Sequence, residues 1–419
     1  AAALDRFGPG FFFETPLLAR GTVRDGVLWG DLAVIGGGDP NLSGRHSNGD
    51  SYAFFREWAA ALKALGIHRV DGEIFLVHGL FDDQLVHPDW PKDQLDRWYE
   101  APVAALSFND NCVLVKIEPI PTLDASPGGG EARVGLVPDL PSLRLAARVR
   151  IVGDRRRESV KISRSPLDAT PEAPATFSAT GAIHRRTEKI DRWVPVADPV
   201  RYFGAAWVDA ANEEGVRIDR VPRPVETLPA EAVSGEVWRQ VAVHRSDLLT
   251  TLEVILERSQ NFYAESVVKL LGARQCGDGS WDGGLRVVHE VLDELGLDPN
   301  ATQLADGSGM SRGNRSTPRQ LTMLLRAMRS HRWSTEWMRS LPFSGQVDLR
   351  WEKRLAQAPY RGNVLAKTGT LRAVSTLSGY AKGRSGRVYA FSLLMNRSRA
   401  NWRAQDAQDA ILRALIDHG

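Results

Sequence analysis

Two short motifs contain side chains that could act together in chemistry. Residues 259–261 read Ser-Gln-Asn, and residues 367–370 read Lys-Thr-Gly-Thr. A serine hydroxyl can relay a proton, and a lysine ammonium with neighbouring threonine hydroxyls can present hydrogen-bond donors at the edge of a cleft. The two motifs therefore predict the proton-relay and substrate-holding parts of a catalytic cleft.

The nucleophile that usually accompanies these motifs is missing from the expected place. Serine enzymes that open β-lactams or cleave D-alanyl peptides use S-x-x-K for the nucleophile and its base, together with S-x-N and K-T-G. Here S-x-x-K occurs only at 266–269, after S-x-N and therefore in the wrong order. Apolar residues flank it at helical spacing, so we interpret Ser266 as a packed helix residue.

The first residues indicate where the nucleophile belongs. Residues 1–7 are typical of the last turns of a helix, and Gly8 follows as a glycine cap. No helix start precedes them, and no secretion signal is recognisable. We expect both the earlier part of this helix and any secretion signal to lie before Ala1.

Composition excludes several classes of function. With 419 residues, 43% of them hydrophobic and 25% charged, the chain can form two or three domains. The net charge of +2 without a long basic stretch predicts no nucleic-acid binding, and no apolar run reaches the roughly 20 residues of a membrane helix. The nine histidines lack metal-site spacing, so neither a metal nor a cofactor is predicted. Cys112 and Cys276 could form one disulfide, but two buried thiols are the preferred interpretation.

Hydrophobic periodicity predicts a β-rich first half and a helical second half. Strands are predicted at 26–35, 72–77 and 111–118 and within a β-rich region at 132–200, a serine-capped helix at 51–65, a flexible turn at 36–40, and loops at 128–130 and 171–176. Helices are predicted at 247–257, 261–271, 284–295 and 404–416, and strands at 364–367, 375–382 and 387–395.

These bounds predict that Lys367 is the last residue of a strand and lies at the edge of a cleft. Helix capping is the alternative role for Ser259 or Asn261.

With these residues in place, the sequence resembles the D-alanyl-D-alanine carboxypeptidase/endopeptidase family, the low-molecular-mass class C penicillin-binding proteins, also called peptidase family S13. The resemblance covers nearly the whole chain. Besides the two motifs it rests on 30–32 (Gly-Asp-Leu), 36–40 (Gly-Gly-Gly-Asp-Pro), 101–103 (Ala-Pro-Val), 107–111 (Ser-Phe-Asn-Asp-Asn) and the glycine-rich loop 306–312. Gln260 departs from the family, which commonly has Asp there. We expect little effect, because this side chain is not the reacting group of the relay.

The resemblance implies an α/β fold. It consists of a transpeptidase/β-lactamase-like domain with a five-stranded antiparallel sheet flanked by helices, and two nested β-rich insertion domains. The implied boundaries are 1–13 with 239–419 for the catalytic domain, 14–40 with 107–238 for domain II, and 41–106 for domain III.

The resemblance also implies roles for the motif residues. Ser259 would pass a proton to the leaving amine, Asn261 would bind the substrate's peptide amide, and Lys367 would supply positive charge. Thr368 and Thr370, separated by Gly369, would bind the terminal carboxylate, and the backbone N–H of Thr370 would belong to the oxyanion hole.

A second group of substrate-binding candidates lies in two loops. In relatives that cut diaminopimelate-containing peptides, an aromatic and an acidic residue reach the stem-peptide side chain, and Trp90, Asp93 and Trp98 match that W-x-x-D spacing. A loop anchored by tryptophans accounts for these residues equally well. Ser308 and Met310 of the glycine-rich loop complete the candidates.

The implied function is that of a periplasmic serine DD-peptidase that acts on peptidoglycan stem peptides through an acyl-enzyme and is inhibited by β-lactam antibiotics. A catalytically silent peptidoglycan-binding or scaffolding homologue is the alternative, and a β-lactamase is a weaker third. Retention of the proton relay favours the enzyme. Because S-x-x-K is absent from its expected position, we expect these 419 residues alone to bind stem peptide without cleaving it.

Overall fold

The computed structural model describes residues 1–120, 130–165, 175–230, 237–349 and 351–419 and divides the chain into two compact units. The first unit comprises Ala1–Phe13 and Ser246–Gly419, and the second comprises Glu14–Arg245. The helices are α1 Ala2–Phe7, α2 Ala53–Ala64, α3 Pro199–Glu213, α4 Leu248–Glu253, α5 Asn261–Cys276, α6 Trp281–Glu294, α7 Pro318–Arg329, α8 Ser334–Arg339 and α9 Asn401–His418. The strands are β1 Phe12–Arg24, β2 Val27–Ile35, β3 Arg69–Val70, β4 Ile74–Val77, β5 Cys112–Glu118, β6 Arg133–Val137, β7 Leu143–Val152, β8 Ser159–Arg164, β9 Ala175–His184, β10 Ile190–Pro195, β11 Arg217–Ile218, β12 Arg223–Val225, β13 Arg239–Asp247, β14 Val364–Leu371, β15 Val374–Lys382 and β16 Val388–Asn396.

The second unit is rich in β-structure around one apolar core. One sheet has the order β11-β3-β2-β1-β13, with β4 beside β2 and β12, and the other two have the orders β10-β5-β6 and β7-β9-β8. Helices α2 and α3 pack together and contribute Phe55, Trp58, Phe203 and Trp207 to the core. The strands predicted at 26–35, 72–77 and 111–118 are confirmed, whereas the finer division of this unit into two domains stays a prediction.

Two helix predictions in this unit need correction. The predicted serine cap of α2 is wrong, because the N-cap is Tyr52, which makes no side-chain cap, and Asp50 accepts the Tyr52 N–H at 3.0 Å. Helix α3 was missed at the end of the region predicted to be β-rich. Its start signal is present, since Asp198 accepts the N–H of Arg201 and Pro199 occupies the first turn.

The glycine-rich segment 36–40 is buried and lacks regular secondary structure. A Cβ atom on Gly37 would lie 1.9 Å from the carbonyl oxygen of Glu14, so glycine is needed for close packing. The expected flexible turn is therefore a packed segment. The predicted loops at 128–130 and 171–176 lie mainly outside the described residues.

The first unit combines a sheet with helices on its faces. Strands β14, β15 and β16 correspond to the strands predicted at 364–367, 375–382 and 387–395 and pair in antiparallel order. Helix α9 packs against β15, and α7 packs against β16. Val364, Leu377 and Leu412 belong to the core between sheet and helix. The resemblance implies five strands, but three form the hydrogen-bonded ladder of the described residues. On the outer edge of β14, Phe343 and Leu365 form a single bridge.

Helices α5 and α6 approach each other closely. A Cβ atom on Gly284 would lie 2.0 Å from the carbonyl oxygen of Val268, so only glycine allows this contact. Both predicted helices are confirmed: α5 extends past its predicted end to Cys276, whereas α6 begins earlier than predicted, at Trp281, and ends at Glu294. The helix predicted at 247–257 begins as α4 and continues as a π-helical turn, Val254–Arg258.

The first helix agrees with its prediction, whereas one of the two cysteines does not. Helix α1 is confirmed, since Gly8 adopts φ 73° and its N–H donates to Leu4 O at 3.1 Å. Both cysteines are free thiols, but only Cys112 is buried. The prediction is wrong for Cys276, because this residue ends α5 where the helix leaves the core.

Candidate functional site

Ser259 lies at the break between the π-helical turn and α5. Its backbone is left-handed, with φ 55° and ψ 44°, a conformation that costs a non-glycine residue about 1–3 kcal/mol. Gln260 is the N-cap of α5 but makes no side-chain cap, and Asn261 is the first helical residue. The capping alternative is therefore wrong, and the strained turn instead sets the direction of the Ser259 hydroxyl.

Lys367 lies in the middle of β14, opposite Ser378 of β15. The prediction that it ends a strand is wrong, because backbone pairing continues to Leu371. The pairing also explains the glycine of K-T-G. A Cβ atom on Gly369 would lie 2.3 Å from Oγ1 of Thr376 on the neighbouring strand.

The structure brings the two motifs into contact. Lys367 Nζ donates hydrogen bonds to Ser259 Oγ, 108 residues away in sequence, and to Thr368 O at 2.9 Å. A neighbouring ammonium favours the deprotonated form of a hydroxyl and stabilises developing negative charge. Asn261, Lys367 and Thr368 are half-buried and Thr370 is exposed, so a ligand can reach this cluster from solvent.

The glycine-rich loop 306–312 is held by internal hydrogen bonds. The Asp306 carboxylate accepts the N–H groups of Gly309 at 2.8 Å and Ser311 at 2.5 Å. Arg312 Nη2 donates to Arg372 O at 3.0 Å, in the turn between β14 and β15. The loop that contains Ser308 and Met310 is therefore attached to the hairpin that carries K-T-G.

Glu265 is a site residue that the sequence reasoning missed. It lies one helical turn after Asn261 and is fully buried. Its carboxylate accepts three hydrogen bonds at 2.8 Å, from Trp281 Nε1, Gly307 N and Ser308 N. Burial, and then the negative charge of Asp306, raise the pKa of Glu265 to about 7. The available signal was a glutamate in a predicted helix, 261–271, whose other residues are mostly apolar.

The S-x-x-K match at 266–269 is confirmed as part of a packed helix. Ser266 is buried and its hydroxyl donates to Phe262 O at 2.9 Å, the bond of a helical serine to the preceding turn. Lys269 is also buried, and its Nζ lies 4.0 Å from the ring centre of Trp281.

The tryptophan-rich loop belongs to the second unit. Trp90 is only 3% exposed, as expected for a loop anchor. Asp93 is exposed in a short 3-10 turn, and Trp98 is half-buried with its ring edge-on to Tyr99. The role of these residues in substrate binding stays a prediction.

Glu100 closes this loop and is fully buried. Neither carboxylate oxygen has a hydrogen-bond partner among the described residues. Burial, and then the charges of Asp93 and Asp96, raise the pKa of Glu100 to about 7.

In the described ranges, no three His, Cys, Asp or Glu side chains are grouped so as to bind a metal ion. None of the helices in the described part of the chain combines the length and apolar character needed to cross a bilayer.

Comparison with known sequences gives a match over nearly the whole chain. The model of the D-Ala-D-Ala carboxypeptidase 3 (S13) family matches residues 1–415. D-alanyl-D-alanine carboxypeptidase of Actinomadura sp. (strain R39) is 29% identical over 434 residues, which cover 100% of this chain and 75% of that protein. D-alanyl-D-alanine carboxypeptidase DacB of Haemophilus influenzae is 25% identical over 390 residues, covering 92% and 76% of the two chains.

Solved structures agree on the fold. Penicillin binding protein 4 (dacB) from Haemophilus influenzae superposes with a TM-score of 0.83 at 22% identity, over 100% of this chain and 89% of that one. The same protein complexed with a β-lactam gives a TM-score of 0.77 at 22% identity, over 100% and 88%. The architecture is thus that of a penicillin-binding protein.

Proposed function

Because the chain belongs to the D-Ala-D-Ala carboxypeptidase 3 (S13) family, we propose roles for its cleft residues in the reaction of a serine DD-peptidase. The protein is a hydrolase, a serine-type D-Ala-D-Ala carboxypeptidase. The observation that carries the residue assignments is the hydrogen bond from Lys367 Nζ to Ser259 Oγ.

The proposed chemistry is acyl transfer. In enzymes of this kind the S-x-x-K serine attacks the carbonyl carbon of the penultimate D-alanine, the lysine of that motif takes the serine proton, and the C–N bond to the terminal D-alanine breaks. Ser259 donates its proton to the leaving amine and receives the proton held by that lysine, while the adjacent Lys367 ammonium stabilises the Ser259 oxygen during the transfer. Water then hydrolyses the acyl-enzyme ester.

Substrate binding is assigned to the surrounding residues. Asn261 hydrogen-bonds the peptide amide, and the hydroxyls of Thr368 and Thr370 bind the terminal carboxylate. Gly369 keeps the strand free of a side chain at this point. Ser308 and Met310 line the site from the glycine-rich loop.

The proposed substrate is the peptidoglycan stem peptide. Trp90, Asp93 and Trp98 are the candidates for contacts with its side chain, with the Asp93 carboxylate pairing with an ammonium group. A β-lactam, which mimics D-Ala-D-Ala, would acylate the same site. The proposed location is the periplasm, where stem peptides are cross-linked.

A fluorescent penicillin tests the assignments with the protein in its full encoded length. We expect covalent labelling of the wild type and a loss of about 10²–10³-fold in acylation rate in Lys367→Ala, because a charge aimed at the reacting groups is removed. Lys382→Ala is the matched control, since this exposed lysine ends the neighbouring strand. An unlabelled wild type would indicate a silent stem-peptide-binding homologue, and equal labelling of Lys367→Ala would overturn the role of Lys367.

A further inference from the structure

Glu265 joins two elements of the site through backbone groups. Its two carboxylate oxygens accept the N–H groups of Gly307 and Ser308, so the start of the 306–312 loop is bound to α5. Both hydrogen bonds measure 2.8 Å. Both donors are backbone groups, so the attachment does not need a polar side chain in the loop.

The loop lies directly on α5. A Cβ atom on Gly307 would lie 2.6 Å from Cγ2 of Val268 and 3.0 Å from the carbonyl oxygen of Ala264. Glycine thus allows the loop backbone to come within hydrogen-bond distance of a carboxylate that is itself buried in the helix.

The opposite end of the loop is bound to the hairpin. Arg312 Nη2 donates to Arg372 O, which follows the K-T-G-T segment by two residues. The loop consequently connects the helix that begins with Asn261 to the strand pair that carries Lys367. A change in its position would alter the spacing of both motifs around a ligand.

We propose that Glu265 is a positioning residue that fixes the 306–312 loop between the S-x-N and K-T-G motifs. The inference rests on the proposed function, since it assigns Glu265 to the same site. In the described part of the chain its hydrogen bonds go to Trp281, Gly307 and Ser308 and not to Ser259 or Lys367, so it acts through Ser308 and Met310 of the loop.

Ionisation of Glu265 controls how firmly it holds the loop. The carboxylate of Asp306 in the loop is the charge that raises its pKa, and the indole N–H of Trp281 on α6 donates to it. The buried Lys269 of α5 lies over the ring of the same Trp281. The ionised carboxylate accepts all three N–H groups, whereas a protonated one converts an acceptor into a hydroxyl donor. With a pKa of about 7, Glu265 holds the loop more firmly as pH rises through neutrality.

Kinetics with the full-length protein test the role. We expect kcat/KM for a peptide ending in D-Ala-D-Ala to rise through about pH 7 in the wild type. Glu265→Gln should lose this rise and be about tenfold slower at alkaline pH, the size expected for one or two lost hydrogen bonds. Glu265→Asp keeps the charge with a shorter reach, so it should keep the rise at a lower level. Glu290→Gln, at an exposed glutamate of α6, is the matched control.

Hydrogen exchange provides a readout that is independent of activity. In the wild type, protection of the amides in 306–312, corrected for intrinsic exchange, should increase through the same pH range, and Glu265→Gln should lack this increase. Trp281→Phe removes one donor to the carboxylate and should move the step to higher pH, which tests the proposal even where Glu265→Gln fails to fold.

The outcomes separate this inference from the proposed function. An inactive wild type that shows the protection step would overturn the proposed function and support the role of Glu265 in holding the loop. A wild type whose loop protection shows no step near neutral pH, or a Glu265→Gln variant with wild-type protection and pH profile, would overturn the inference.

Discussion

Two glutamates show how the surroundings of a single residue decide the effect of its charge. Glu265 and Glu100 are both fully buried, and both have a pKa raised to about 7. Glu265 accepts three N–H donors, which offset part of the cost of burying its charge. Glu100 has no hydrogen-bond partner among the described residues and faces Asp93 and Asp96. Ionised Glu100 is therefore an uncompensated cost to the folded state.

Replacement of Glu100 should stabilise the protein at alkaline pH. Because its pKa is higher in the folded state than the ordinary 4.5, the folded state binds more protons between these values. Its contribution to the free energy of unfolding is thus lost as pH rises from about 4.5 to about 7. Glu100→Gln should raise the free energy of unfolding by about 1–3 kcal/mol at pH 8 and change it little at pH 5, measured by urea denaturation.

Glu57→Gln, at an exposed position of α2, is the matched control and should have no effect at either pH. An equal effect of Glu100→Gln at both pH values would show that the change acts through packing and not through the charge.

At the scale of elements, the β14–β15 hairpin explains why its motif has a small residue at its centre. Gly369 pairs with Thr376, whose hydroxyl occupies the space that a side chain on Gly369 would take. The glycine is thus a packing requirement of the strand pair, in addition to any role beside the substrate.

Gly369→Ala should destabilise the protein by about 1–3 kcal/mol, because the added methyl group overlaps Thr376 Oγ1. The double variant Gly369→Ala/Thr376→Ala should recover most of this loss, since it removes the overlapping hydroxyl. Denaturation midpoints of the single and double variants give the coupling.

Gly10→Ala is a suitable control, since a Cβ atom there meets nothing within 4 Å. If the double variant is as unstable as the sum of both single changes, the overlap is not the cause.

At the scale of the whole molecule, the second unit is a continuous segment between two parts of the first. The Leu248 N–H donates to Phe11 O at 3.0 Å, so the chain leaves and re-enters the first unit at neighbouring positions. The second unit also has its own core, in which Trp58 and Trp207 are fully buried. A segment with its own core and adjacent ends has the properties of an independently folding domain.

The fragment Glu14–Arg245 should therefore fold alone. We expect a cooperative urea transition and a near-ultraviolet circular dichroism signal from its buried tryptophans. A fragment covering 14–196 ends before α3 and loses Phe203 and Trp207 from the core, so it should not fold. A gradual transition of the longer fragment, with exposed apolar surface, would contradict its independence.

Sequence patterns were sufficient to predict the family, the two motifs, the helices α5 and α6 and the final hairpin. These follow from local patterns, since helix and strand periodicity and motif spacing are properties of neighbouring residues. The start of α3 could also be predicted from the sequence, because Asp198 and Pro199 form a local helix-start signal. The region predicted to be β-rich instead runs past this signal to residue 200.

The assembly of the site depends on contacts that no sequence pattern predicted. The contact of Lys367 with Ser259 and the attachment of the 306–312 loop to Glu265 join segments that are distant in sequence. Such contacts depend on how helices and strands pack. They also depend on which polar groups become buried, because buried polar groups need hydrogen-bond partners. A motif indicates which groups can react, whereas packing determines their positions and raises the pKa of Glu265.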